Sequence, residues 1–303
     1  MKIVQPNMLT IVSSSLAESD ATDGPEWAAG TTYSEGALVR YQHQRYISIA
    51  ANNIGNNPAS TSTGTLNDKW RLLGATNLYA CIDDTVSTQT VLDGIDQTMT
   101  ITVPFSRATS FGLLNVNAAD VNVVIKDDQE DIFFEKNYNM TKELTSFSAY
   151  QYCFYPLEAA HEIVETEVPM PVIGTLTVTL SGNNLGIGHV VNGRAFTIGQ
   201  TKYSASVGET DYSRKVTDDF GVTTFVKRAY AATMSLPIYL HPDNSDGVIK
   251  IMHDIRATPS LFIGDNRDEG FQSLTIYGWK EDFRMVYAGP NEMEFTLDIQ
   301  GLI

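Results

Sequence analysis

The side chains that could carry chemistry in this 303-residue chain are few and dispersed. Closely spaced acids occur at Asp83-Asp84, at Asp127-Asp128 with Glu130-Asp131, and at Asp218-Asp219. Paired carboxylates are what glycoside hydrolysis needs, one as acid and one as nucleophile or base. All three clusters sit in turn-like stretches between strand-like runs, where solvated charges are expected. The histidines His43, His161, His189, His241 and His253 include no i, i+4 pair and no zinc-binding pattern. Asp243-Asn-Ser-Asp-Gly247 has the look of a calcium loop but lacks its alternating ligands and its late Glu. A turn or helix start explains it better. Gly-x-Ser-x-Gly, the Walker pattern and the dinucleotide glycine fingerprint are all missing from the sequence. The expectation is a protein that is not an enzyme, with no metal and no cofactor.

The elements that would position any site are mostly strands. Residues 98–103, 121–125 and 175–180 alternate or run β-branched, and 273–277, 283–287 and 293–299 form a C-terminal series. Period two buries one face and leaves the other exposed, as in antiparallel sheets. Turn residues separate the runs at Ser181-Gly-Asn-Asn184, Asn192-Gly193 and Gly289-Pro-Asn291. The threonines of 175–179 look suited to edge pairing with another chain. One helix is expected within Asp243 to Ala257, where Val248, Ile249, Met252 and Ile255 recur at helical spacing after Asn244 or Ser245 as N-cap. The fold class is therefore mainly β: a small aromatic-cored β module plus one or two antiparallel β-sandwich-like domains, with at most one or two short helices.

Residues 1–25 read as an arm or linker: the apolar run Met8 to Val12 marks a strand or arm, and a polar, solvated connector follows. Residues 26–77 form the module; 78–170 and 171–303 form β domains, or 78–303 forms one unit. The soft boundary near 170 rests on Val168-Pro-Met-Pro-Val172.

Apolar residues make up 43% and charged residues 18%, a folded composition, and the net charge is −16. Such a charge opposes nucleic-acid backbones and anionic membrane surfaces. Basic residues are scattered, and the densest spot is Lys227-Arg228. No stretch has the length of a membrane span, and the N-terminus lacks a signal-peptide core. Cys81 and Cys153 lie in apolar-aromatic surroundings and read as two buried thiols, with a disulfide between them as the alternative.

The most informative stretch runs Trp27-Ala-Ala-Gly-Thr-Thr-Tyr33, Gly36, Val39, Tyr41, Tyr46, Asn53, Gly55, Pro58, Trp70. It resembles the small chitin- and cellulose-binding modules of bacterial chitinases. About fifty residues cannot build a large core, so a few aromatics must do it. Trp27, Tyr33 and Trp70 are the expected module core. In those chitinase modules an adjacent aromatic pair stacks on sugar rings; here Ala50 and Ala51 fall near those positions. Tyr41, His43 and Tyr46 are the candidate for a different glycan-binding patch, with Tyr41 and Tyr46 as cross-strand partners in the alternative.

Modules of this kind occur in polysaccharide hydrolases and in bacteriophage tail proteins. The rest of the chain is similar to a family of phage tail-associated proteins, on three features. These are Gly74-Ala-Thr-Asn77 leading to Asp83-Asp84; Ile187 to Arg194 with Thr197 to Tyr203; and Tyr277-Gly-Trp-Lys-Glu-Asp-Phe283 before a last strand ending Ile299 to Ile303. The resemblance implies a structural component of a tailed-phage virion (tail, baseplate or collar), made in the host cytoplasm and assembled as a symmetric oligomer. Its partners would be copies of itself and other tail proteins, with host-surface glycan as a weak further contact. The alternative is a soluble glycan-binding protein or an accessory module of a polysaccharide-degrading enzyme.

Overall fold

A computed structural model describes residues 1–59, 68–141, 159–217, 220–265, 274–287 and 293–302. In chain order, β1 (Lys2–Pro6) and β2 (Ser13–Ser14) precede one helical turn, α1 (Asp20–Asp23). The strands β3 (Leu38–Tyr41), β4 (Gln44–Ser48) and β5 (Trp70–Ala75) follow, then a 3-10 turn at Asn77–Ile82. Next come β6 (Thr90–Leu92), β7 (Gln97–Pro104), β8 (Ser110–Asn117), β9 (Asp120–Asp127), β10 (Ile132–Asn139), β11 (Glu162–Thr166), β12 (Gly174–Gly182) and β13 (Leu185–Thr197). The series continues with β14 (Gln200–Thr201), β15 (Ser206–Asp211), β16 (Arg214–Thr217), β17 (Thr223–Val226) and β18 (Tyr230–Leu240). A 3-10 turn at Pro242–Asn244, α2 (Ser245–Asp254), β19 (Ser260–Ile263), β20 (Thr275–Tyr287) and β21 (Met293–Gly301) complete it. The chain is mainly β and its sheets are antiparallel.

Alternation does what the sequence implies in β7, β9 and β12. Met99, Ile101 and Val103, Val121, Val123 and Ile125, and Leu176, Val178 and Leu180 all face one core. These strands form the five-stranded sheet β10-β9-β12-β7-β2. Phe111, Leu113, Ile187 and Val190, from β8 and β13, close the same core from the other side, making a sandwich. β12 is not an edge strand, so its threonines are not placed for edge pairing with another chain. β12 is flanked by β7 and β9, and its outward hydroxyls bond across to β7, Thr177 to Thr102 at 3.2 Å and Thr179 to Thr100 at 3.4 Å.

The second sheet runs β11-β8-β13-β1-β19-β20-β21-β18-β14, with β6 and β15 attached beside it. The antiparallel sheets include a curled half-barrel, and we use that name for the β18–β21 side of this sheet. Met234, Leu236, Ile238, Phe295 and Leu297 there pack on Val248, Met252 and Ile255 at α2. The expected helix thus exists, and its apolar stripe is what holds it to the sheet.

Four expectations from the sequence change. The N-terminal strand is Lys2–Pro6, not the Met8–Val12 run, in which Met8 is 95% exposed. Ile3 joins the half-barrel core and Val4 a third cluster with Leu114, Val191 and Leu261, so β1 serves two cores from its opposite faces. Residues 13–25 are tied down and are not a solvated connector: the Asp23 carboxylate is fully buried and accepts from the backbone N–H of Asn77 at 2.8 Å and of Ser19 at 3.2 Å. Asn192-Gly193 is not a turn but lies inside the thirteen-residue β13. A Cβ at Gly193 would sit 1.8 Å from the Gln5 carbonyl oxygen, so glycine is what lets β1 lie against β13. Finally, the proline pair around 170 carries the chain from β11 in one sheet to β12 in the other. The strands on either side of it interleave. The turn expected at Gly289-Pro-Asn291 lies outside the described residues.

Candidate functional site

Three features stand out: the module, a buried histidine pocket, and a projecting ribbon. In the module, β3-β4-β5 form a three-stranded sheet. Trp70 and Tyr33 are 3% and 7% exposed and pack edge to face with ring centroids 5.3 Å apart. Val39 completes this core, and Trp27 and Tyr46 lie partly buried against it. The Trp70 indole N–H donates to the Asn56 carbonyl at 2.8 Å, whereas the buried Trp27 indole N–H has no acceptor among the described residues.

Register places Val39 opposite Tyr46 and Tyr41 opposite Gln44. Tyr41 and Tyr46 are thus diagonal neighbours on one face. Tyr41 sets its ring against Trp27 at 5.5 Å, and its hydroxyl accepts from the Asn57 side chain at 3.1 Å. Burial, and then nearby Tyr41, pushes the Tyr46 phenol pKa up.

His43 is not part of that pair. It occupies the two-residue turn between β3 and β4, where Gln42 and His43 both have positive φ, 50° and 63°. The turn points its ring at the body: His43 stacks on Tyr79 at 3.8 Å, and its Nδ1 lies 3.1 Å from Glu18. Glu18 also accepts from the Thr76 hydroxyl at 2.6 Å, and the Thr76 N–H donates to the His43 carbonyl at 2.9 Å. His43 thus links module and body, with its side chain still half exposed. Near the missing aromatic pair the surface offers Ile49, Ile54 and Leu72, about half exposed and aliphatic, without a flat ring for stacking.

The second feature joins three distant segments. His189 on β13 is 4% exposed, and its ring lies 4.5 Å from that of Tyr277 on β20. The Tyr277 hydroxyl donates to Asp84 at 3.3 Å. Asp84 takes a left-handed φ of 61° just after the 3-10 turn. Together with Asn7, Leu9, Val190 and Pro259 these side chains line a pocket of about 330 Å3. Burial lowers the His189 pKa to about 4, partly opposed by Asp84. The ring is neutral at pH 7, and its Nδ1 is buried with no hydrogen-bond partner among the described residues. Burial, then the neighbouring Asp84 carboxylate, raises the Tyr277 phenol well above its ordinary range.

The other acids act as turn builders. Asp83 accepts from Thr85 N–H and the Thr88 hydroxyl, and Asp127 accepts from Gln129 N–H and Asp131 N–H. Among the described residues no cluster of three His, Cys, Asp or Glu side chains could hold a metal ion, and no helix is long and apolar enough to cross a membrane. Cys81 is buried, and burial raises its thiol pKa to about 11. Cys153 and Asp218-Asp219 lie outside the described residues.

The third feature is a two-stranded ribbon. β15 pairs with β18 from Ser206/Ser235 out to Asp211/Tyr230, and the ladder resumes in β16–β17 from Arg214/Val226 to Thr217/Thr223. The Gln300 side chain donates to the Tyr212 hydroxyl at 3.0 Å, and Lys227 to Tyr230 line a pocket together with Leu114, Glu162 and Tyr277 of the body. All residues of β15, β16 and β17 are exposed. Phe225 is 74% exposed and Tyr230 60%, with Tyr212, Val216 and Val226 at 40–44%. Sequence reading passed over this segment because Lys227-Arg228 looked trivial alone. The ladder sets Arg214 and Lys215 opposite Val226 and Phe225, so four basic residues gather beside apolar ones.

Comparison with known protein families, and with curated proteins, finds no match for this chain.

Proposed function

We propose that this chain is a structural component of a tailed-phage virion, in the tail, baseplate or collar region, that works by assembling with copies of itself and with other tail proteins and does not turn over a substrate. The observation that carries the reading is the ribbon beyond Tyr212. A two-stranded hairpin is at best marginally stable alone in water. This one extends past the sheet with Phe225, Val216 and Val226 in solvent. Exposed apolar side chains on a projecting ribbon suit a surface completed by another chain. The module fits a decoration on such a body, because Tyr41 packs on Trp27 and His43 links module and body. The motif likeness to phage tail-associated proteins supplies the virion.

The test is the protein content of purified phage particles, by mass spectrometry and by imaging of the intact particle. The expected result is this chain in a fixed copy number, with density at one level of the tail. Particles that lack it, together with turnover of a polysaccharide by the purified chain, would overturn the proposal.

A further inference from the structure

Resting on that assembly reading, we infer that two copies of this chain join ribbon to ribbon: the strand edge 206–217 of one copy pairs antiparallel with the same edge of the other, about a two-fold axis.

The open edge is the first argument. β15 pairs with β18 and β16 with β17, each on one side, so among the described residues the other side of 206–217 carries no strand. Every residue of β15 and β16 is exposed, and Val207, Tyr212 and Val216 are 40–46% exposed. The Tyr212 N–H donates inward, to the Ala229 carbonyl at 3.3 Å. Backbone groups alternate in direction along a strand, so those of Glu209 and Asp211 point outward, where a further strand can take them. An open edge of this kind is a template for pairing with another chain.

The order of charge along the edge is the second argument. Glu209 and Asp211 lie in β15, and Arg214 and Lys215 in β16. None of the four has an ion-pair partner among the described residues. Asp211 accepts from the Ser213 N–H at 2.8 Å, which fixes the join between the two strands. Laid antiparallel, the acidic half of each edge meets the basic half of the other, twice over. Laid parallel, like charge meets like, which is destabilising. The edge thus selects the antiparallel arrangement, and that contact between identical strands is isologous and closes with two copies. The ribbon's other edge, 222–230, carries Lys227 and Arg228 and no acid, so it has no such self-complementarity.

The charge of the rest of the chain is the third. Between Ser206 and Tyr230 four acids (Glu209, Asp211, Asp218 and Asp219) balance four bases (Arg214, Lys215, Lys227 and Arg228). The net charge of −16 therefore lies wholly outside the ribbon. Two such chains repel in general. Ribbon-to-ribbon contact brings neutral surfaces together, and complementary charges within them set direction and register.

The experiment uses the full chain and measures mass in solution by sedimentation at several concentrations, with incorporation into particles as a separate readout. Wild type is expected to form a dimer at tens of micromolar and nothing larger. Glu209→Lys with Asp211→Asn makes the edge basic throughout and keeps an acceptor for the Ser213 N–H. Arg214→Glu with Lys215→Glu makes the edge acidic throughout. Each double variant is expected to weaken self-association at least tenfold and to melt as wild type does, since all four side chains are exposed. An equimolar mixture of the two variants is expected to recover the dimer, because a basic edge then meets an acidic one. A wild-type chain that stays monomeric, one that grows beyond the dimer, variants that associate as well as wild type, or a mixture that stays apart would each overturn the inference. If such a chain still enters particles, the edge serves a different tail protein and the assembly reading survives; a chain absent from particles defeats that reading instead.

Discussion

Acidification should destabilise this protein, and the buried group that contributes to this is His189. The ring is 4% exposed, and burial holds its pKa at about 4 against an ordinary 6.5. Above pH 6.5 it is neutral in both the folded and the unfolded chain, and its contribution is constant. Below that the unfolded chain takes up a proton that the folded chain refuses, until the pH falls to about 4. Stability is therefore lost between these two values as pH falls. With 1.36 kcal/mol per pKa unit, the loss relative to pH 7 is about 2 kcal/mol at pH 5 and about 3 kcal/mol at pH 4. Asp83 and Glu162 work the other way, since burial raises their pKa values and so favours the fold as pH falls. The informative quantity is thus the difference between wild type and His189→Leu, read by urea denaturation at pH 7, 6 and 5. Wild type should lose about 2 kcal/mol more than the variant between pH 7 and pH 5. Parallel pH profiles, within about 0.5 kcal/mol, would show that the ring is solvated in the native protein and that the buried pocket is wrong.

Trp70→Ala should cost about 3–5 kcal/mol, comparable to the whole stability of a fifty-residue module at about 0.1 kcal/mol per residue. Limited proteolysis should then cut within 26–75 while the sandwich and half-barrel resist, since neither core includes Trp70; a resistant module would mean that Trp70 is not its core. Trp27→Phe should change stability by no more than about 1 kcal/mol, because it removes a buried N–H that has no acceptor, whereas Trp27→Ala should cost more; equal losses in thermal melts would count against this. Gly193→Ala should destabilise the whole chain by about 3 kcal/mol or more, because its Cβ would lie 1.8 Å from the Gln5 oxygen; a neutral result in denaturation would place β1 elsewhere.

What the sequence made legible was whatever followed a period. β7, β9 and β12 alternate because each has one buried and one outer face, and the stripe of α2 was equally plain. β13 broke the rule for a physical reason. It is buried on both faces from Leu185 to Gly193, so alternation vanishes, and its glycines mark close approach of other backbones where glycine more commonly marks a turn. β1 was missed because only its partners, some 190 and 260 residues away, reveal it as a strand. The module core was readable, since few residue types can fill so small a core. The role of His43 was not, because its stacking partner and its acid come from outside the module. Nor could spacing have assembled Asp84, His189 and Tyr277; a lone histidine within an apolar β-branched run was the one available signal.

The net charge of −16 bears on what the ribbon can mean. An exposed Phe225 on a neutral body would be an aggregation hazard, open to any apolar surface. On a body of net −16 another copy meets a general repulsion that local basic residues can offset. Arg214 and Lys215 stand directly across the ladder from Val226 and Phe225, so the apolar contact and the sign that permits it share one patch of four residues. Specificity then comes from the pairing of the two terms, since a wrong partner can satisfy the apolar term but meets the wrong charge. A ribbon of this composition is therefore suited to a contact that must form in one register and nowhere else, which is what a closed assembly of identical subunits requires.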